Sequence, residues 1–355
     1  MALTTRNLAQ TSSNASDWLY ASDTDCIPWA TSNPSAVASW LLACATAGNM
    51  SAVPYQIAVY NPGGESWFGV ASWTVRAYSA YKLVKQTMAT PDKITMDAWF
   101  HGLAHYHRNH VNHAAWGVAG VFPNRLVDDY NTRASSAASG SLTTKRYVQN
   151  GSFISDLALW YNNRYATGAF CAGMIGCGLG DNSLISDAAR YFKEWLTYSV
   201  TAEGYQGEWS RYKDYGYTSD GITYGETNIA AYLELAKAMA DRGDNSLIQF
   251  RTTDGLFGTA SPTKPKTIWT PMDTHISMNL GSLVLIGPDG STIVSTTGSA
   301  GYRMHARDYL PVAKAYGMNS DVLKWSLMVP TTGTKDEPFG ANRGVFGIRT
   351  NTTIE

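Results

Sequence analysis

The chain is short of charge. Asp, Glu, Lys and Arg make up only 15% of its 355 residues, against about 25% in an average globular domain. Its 27 basic and 28 acidic residues nearly cancel, leaving a formal net charge of −1. A surface so balanced exerts no global pull on nucleic acid or on an anionic membrane, so an anionic partner would have to be held by local groups. Cysteine is scarce as well. The four are Cys26, Cys44, Cys171 and Cys177, and no two have the C-x-x-C spacing of a metal or redox site. They read as buried free thiols, with a Cys26–Cys44 bridge left open. Long apolar runs are missing too: the richest, AVASWLLACATAG at 36–48, falls well short of the stretch of about 20 residues that spans a bilayer. The opening residues, MALTTRNLAQTSSNASDW, carry neither a basic segment nor an apolar core of the kind that directs export. Either the chain is not exported by that route or its signal has been removed.

Aromatic residues are plentiful instead, with 12 Trp and 21 Tyr. Such rings bury a large apolar area while keeping one hydrogen-bonding end. Most are expected to pack in the core, and the remainder suit the faces of sugars. Along the chain, residues 1–34 are polar and rich in turn signals, and read as an N-terminal arm. Helical spacing follows Pro34 up to Gly48, then runs over 67–89, from 93 to about 107, over the small-residue stretch 166–180, over 183–204 and over 226–244. Pro91 stands where a helix would begin and Gly243 where one would end. The stretch 282–296 reads as two β runs around a Pro-Asp-Gly turn. Helical hairpins in succession, with no linker that looks like a boundary, predict one mainly α domain over 1–355. The architecture expected is an incomplete (α/α) toroid with a small β element in its C-terminal third. Gly168, Ala169, Ala172, Gly173 and Gly176 would let the 166–180 helix pack closely.

Five of the seven histidines fall in HGLAHYHRNHVNHAAW, residues 101–116. No H-E-x-x-H and no cysteine pair accompanies them, so no metal site is expected. At 100° per residue, His101, His105, Asn109, Asn112 and Trp116 share one stripe, while Leu103, Ala104 and Val111 share another. The second stripe is the core face. The first is polar yet holds no Lys or Glu, unlike an ordinary solvated face, and suits a cleft for a hydroxylated ligand. His113 stands at its margin.

Two further stretches carry chemistry. WYNNRYATG, 160–168, sets Asn162 and Asn163 before the small-residue helix, where paired amides either cap the helix or face a ligand. GEWSRYKDYGYTSDGITYGE, 207–226, holds Arg211, Tyr212, Tyr215, Tyr217, Tyr224 and four glycines. An asparagine pair opening a helix, an arginine about fifty residues later and a tyrosine six residues beyond it resemble the alginate lyase superfamily, polysaccharide lyases acting on alginate and glucuronan. The likeness covers about 90–250. In that family the pair commonly continues with histidine, whereas this chain has Arg164.

The resemblance implies β-elimination on a uronate polymer, with Arg211 in the place of the family arginine, Tyr217 in that of the catalytic tyrosine, and Asn112 or Asn109 supplying the upstream amide. The residue types fit that chemistry independently. Removing the C5 proton beside an ionised carboxylate builds negative charge, which Asn163, Arg211 and Asn112 would stabilise by donating to the carboxylate oxygens. A tyrosine, with a pKa of about 10, becomes a usable base when a guanidinium favours its phenolate. Tyr217 would protonate the leaving O4; either it also takes the C5 proton and works alone, or His113, with His105 behind it, replaces the missing histidine. Trp116, Tyr212, Arg164, Asn162, Asn109 and His105 are the candidate sugar contacts. The expected partner is an anionic polysaccharide; no cofactor, nucleic acid or membrane is implied, a monomer is favoured, and the expected location is secreted or periplasmic. Two rivals stand: a glycoside hydrolase pairing Glu208 with Asp128 or Asp129, which requires about 5–9 Å between carboxylates, and a non-catalytic carbohydrate-binding protein.

Overall fold

A computed structural model describes residues 26–47, 66–116, 161, 163–200, 204, 206, 220–253, 265–272 and 274, and two short strands; for 66–68, 110, 112–116, 220–224, 226 and the strands it describes the backbone alone. Among these residues the chain is mainly helical. Helix α1 covers Cys26–Ser32, α2 Pro34–Ala47, α3 Ser66–Val84, α4 Thr90–Trp116, α5 Asn163–Leu179, α6 Asn182–Glu194 and α7 Asp220–Ala240. Strands β1 (Leu285–Ile286) and β2 (Thr292–Val294) pair antiparallel, with an irregularity in register between Leu285 and Ile286. No described helix is long and apolar enough to cross a membrane.

Several helices differ in extent from the pattern in the sequence. Cys26–Ser32 is helical although it lies in the stretch read as an arm; Cys26 and Ala30, one turn apart, are buried, which gives it an inward face. Helix α4 continues past 107 to Trp116 because the apolar stripe of Leu103 and Ala104 is extended by buried Val111 two turns on. Helix α7 starts at Asp220 instead of 226, so Tyr224 lies on helical backbone. The 183–204 segment stops being α-helical at Glu194: Trp195–Ser199 widens to a π turn, and Val200 is extended. The π turn ends where the buried ammonium of Lys266 donates to the carbonyls of Thr197 (2.5 Å) and Val200 (2.9 Å), oxygens that the end of the helix leaves open.

The described residues divide between two compact units. The first takes its residues from 1–114 and 167–188, the second from 115–166 and 189–334. In the first, α1, α2 and α3 pack on one another. Its core holds an edge-to-face run of Trp40, Trp73 and Trp99, with ring centres 5.9 and 6.2 Å apart. Phe100 lies against both Tyr78 and Tyr81. Tyr81 donates to Asp97 at 2.7 Å, and Lys85 grips both oxygens of the same carboxylate. In the second, Tyr161 packs with Tyr191 and Tyr198, and Tyr232 with Phe192 and Trp195. Among the described residues, these Trp and Tyr rings are spent on packing within each unit. All four cysteines are buried and none forms a disulfide.

The small residues of α5 have a specific use. At Gly178 the hydroxyl of Tyr78 occupies the space a Cβ would need, and at Gly176 a Cβ would lie 2.8 Å from that of Leu184. Close packing of this helix is therefore observed within the first unit.

Candidate functional site

Helix α5 ends and α6 begins within three residues, and the junction brings Asp181 against two histidines of α4. Gly180 has φ +83°, the left-handed region that a Cβ disfavours. There the chain leaves α5, with the N–H groups of Gly180 and Asp181 both returning to the carbonyl of Gly176. Asp181 then serves as the cap of α6. Its Oδ1 accepts from the backbone N–H of Ser183 at 2.9 Å and of Leu184 at 3.1 Å, two of the donors that a helix start leaves open.

The other oxygen, Oδ2, faces α4. Nε2 of His101 lies 2.8 Å from it and Nε2 of His105 3.2 Å, and the two nitrogens are 3.1 Å apart. The imidazoles belong to successive turns of α4, stand edge to face with centres 4.4 Å apart, and bring both nitrogens to one point. Burial disfavours the ionised form of Asp181, but the hydrogen bonds from His101, from the N–H groups of Leu184 and Ser183 and from His105 outweigh it and hold the carboxyl down to about 2. Burial lowers the pKa of His105, as do the nearby charges of Arg108 and His101, against the opposing pull of Asp181. At neutral pH the cluster therefore offers an ionised carboxylate and a neutral His105.

One turn further, Arg108 donates through Nε and Nη2 to the side-chain oxygen of Asn109 at 3.0 and 2.7 Å. It also reaches Ser183 at 3.3 Å and lies 3.8 Å from Asp187. The stripe of His101, His105 and Asn109 is therefore real and half-exposed, while Leu103, Ala104 and Val111 face the core as expected. It is not uncharged in its setting, because Asp181 and Arg108 border it. His107, from the same stretch, is buried, and its Nε2 lies 3.4 Å from the hydroxyl of Thr74.

The remaining expected site residues are placed as follows. Asn163 is buried in the first turn of α5. Arg164 follows it, half-buried, beside Tyr165. Burial raises the Tyr165 phenol well above its ordinary range, against the opposing charge of Arg164. Asn112, His113 and Trp116 fall on the backbone of α4, and their side chains lie outside what is described. Asn162, Arg211, Tyr212 and Tyr217 lie outside the described residues, as do Tyr215 and the rival carboxylates Glu208, Asp128 and Asp129.

The sequence pattern missed Asp181. It stands 80 residues from His101 and 76 from His105, and nothing local ties it to them. The available signal was the Gly180-Asp181 pair, a glycine that ends one helix followed by an acid that caps the next. No protein-family model, no curated protein and no solved structure matches the chain.

Proposed function

We propose that the chain is a polysaccharide lyase that cleaves a uronic-acid polymer of the alginate or glucuronan type by β-elimination. What supports the reading is Asn163: a carboxamide buried in the first turn of a helix rich in small residues, at the position where the family resemblance calls for an amide. Donation to a substrate carboxylate is the role the resemblance implies for an amide at this position. The succession of helices is in keeping with an (α/α) toroid, the architecture that goes with this proposal.

In this reading the side-chain amide of Asn163 and the guanidinium of Arg211 donate to the uronate carboxylate, and so stabilise the charge that develops as C5 loses its proton. The Tyr217 phenolate takes that proton. The C5–H electron pair becomes the C4=C5 double bond, the C4–O4 bond breaks, and the phenol returns a proton to O4 of the leaving sugar. No water enters the products. That last point gives the test. Mass analysis of the oligosaccharides would find a new non-reducing end lighter by one water than a hydrolysis product. Products carrying the added water would replace this reading with the carboxylate-pair hydrolase. A polymeric substrate also favours a secreted or periplasmic location.

A further inference from the structure

The triangle formed by His101, His105 and Asp181 is difficult to account for with protons alone. Three contacts of 2.8, 3.1 and 3.2 Å join three atoms. A carboxylate oxygen brings no proton, and each Nε2 carries at most one, directed outward from its ring. If both nitrogens donate to Oδ2, two N–H groups confront each other at 3.1 Å. If either is bare, its lone pair faces the carboxylate oxygen. Every assignment of protons to the two Nε2 atoms leaves one like-to-like contact, in a cluster whose members are otherwise well ordered by a helix and a cap.

We propose that His101, His105 and Asp181 bind a single divalent transition-metal ion, zinc being the ion the donors fit best. One cation resolves all three contacts at once by accepting a lone pair from each atom. The spacing agrees: tetrahedral zinc with bonds of about 2.0–2.1 Å has donor atoms about 3.3 Å apart, close to the separations observed. Imidazole suits zinc and its neighbours in the transition series, while magnesium and calcium prefer all-oxygen shells. The two histidines are one helical turn apart, so no backbone has to move for both to bind. Asp181 uses Oδ1 for the α6 cap, which fixes its rotamer and leaves Oδ2 free to serve as the third ligand.

The neighbouring Arg108 guanidinium is already engaged, held by Asn109 and lying near Asp187. The side chains of His101, His105 and Asp181 are 46%, 31% and 19% exposed, so an ion has a path in and keeps a fourth position open to water or to an anionic group. Within the first unit the ion would tie α4 to the α5–α6 junction. The assignment does not rest on the lyase reading, whose steps are carried by Asn163, Arg211 and Tyr217; His105 alone is shared with its candidate sugar contacts.

The test uses the full chain stripped with a chelator. Calorimetric titration with Zn2+ is expected to show one equivalent bound, with at least tenfold weaker binding in His101→Gln and in His105→Gln. Asp181→Asn keeps an oxygen that can cap α6, so it should fold, and it should lose affinity to a similar degree. Co2+ is expected to develop a visible ligand-field spectrum that these three variants lose, and excess Mg2+ should not displace it. Saturating Zn2+ should raise the thermal midpoint of the intact protein but not of His105→Gln. Absence of zinc uptake by the intact chain would overturn the assignment. So would uptake unchanged in either histidine variant, because the three-ligand site needs both.

Discussion

Asp181 answers to two helices at once: Oδ2 meets Nε2 of His101 at 2.8 Å while Oδ1 caps the start of α6. The acid response of the metal-free protein follows from this. The folded-state pKa of Asp181 is held at about 2, below its ordinary 3.8, so its contribution is fully present above pH 4 and is lost as pH falls from about 4 through about 2. At neutral pH, Asp181→Asn should cost roughly 1–2 kcal/mol. That penalty should shrink toward zero across the same window, as the wild-type carboxyl itself becomes neutral. Denaturant midpoints for both proteins at several pH values check it; a penalty that stays constant down to pH 2 would contradict it. His105 acts in the same direction at higher pH. Its folded pKa lies below the ordinary 6.5, so the unfolded chain binds more protons and stability declines as pH drops below 6.5.

Gly178 and Tyr78 make a second test. A Cβ at 178 would occupy the space held by the Tyr78 hydroxyl, so Gly178→Ala should destabilise by about 1–3 kcal/mol through overpacking. Removing that hydroxyl should relieve the strain: Gly178→Ala with Tyr78→Phe should lose less than the sum of the two single changes. A thermodynamic cycle of four proteins measures the coupling, and strict additivity would mean that the two residues do not meet. Gly180→Ala, by contrast, should cost about 1 kcal/mol through the left-handed backbone, with no rescue from Tyr78→Phe.

Lys266 closes the π turn by donating to the carbonyls of Thr197 and Val200 from a buried position. Lys266→Met keeps the length of the side chain but removes the donor. It should cost about 2–3 kcal/mol, since two buried carbonyls lose their partner. Native-state hydrogen exchange would be expected to show the added opening concentrated at Trp195–Val200. Uniform loss of protection over the whole chain would argue that the ammonium has no local role.

The sequence made some of this legible and left other parts out of reach. Periodicity found the core face of α4 because Leu103, Ala104 and Val111 recur at helical spacing, and small residues such as Gly176 marked a closely packed helix, while the contact of Gly178 with Tyr78 had no signal in the sequence. Helix ends were harder. The change from α to π at Trp195 depends on Lys266, some seventy residues downstream, and no window around 195 contains it. The histidine stripe could be read as polar, but its chemistry depends on Asp181, brought in by a turn that follows a different helix. The absence of H-E-x-x-H removed one local way of building a metal site, and it could not address ligands gathered from distant segments. Asn163 was legible as an amide at a helix start, though a cap and a substrate contact look alike until burial is known.

The proposed lyase chemistry predicts distinct losses. Tyr217→Phe should lower kcat by about 10²–10⁴-fold, the usual worth of a positioned acid or base. Asn163→Asp should be worse than Asn163→Ala, because it sets a negative charge against the substrate carboxylate in place of a donor. Steady-state rates of the three variants, with circular dichroism to establish that each folds, decide the matter. An Asn163→Asp enzyme as active as wild type would remove the carboxylate from the account.

The most direct measurement of the central claim is a progress curve of ultraviolet absorbance on a panel of uronic-acid polymers. Elimination leaves a C4=C5 double bond conjugated with the carboxylate, so absorbance should climb with at least one polymer, and should not climb when Tyr217→Phe is used. No gain on any uronan, or an undiminished gain with that variant, would contradict it.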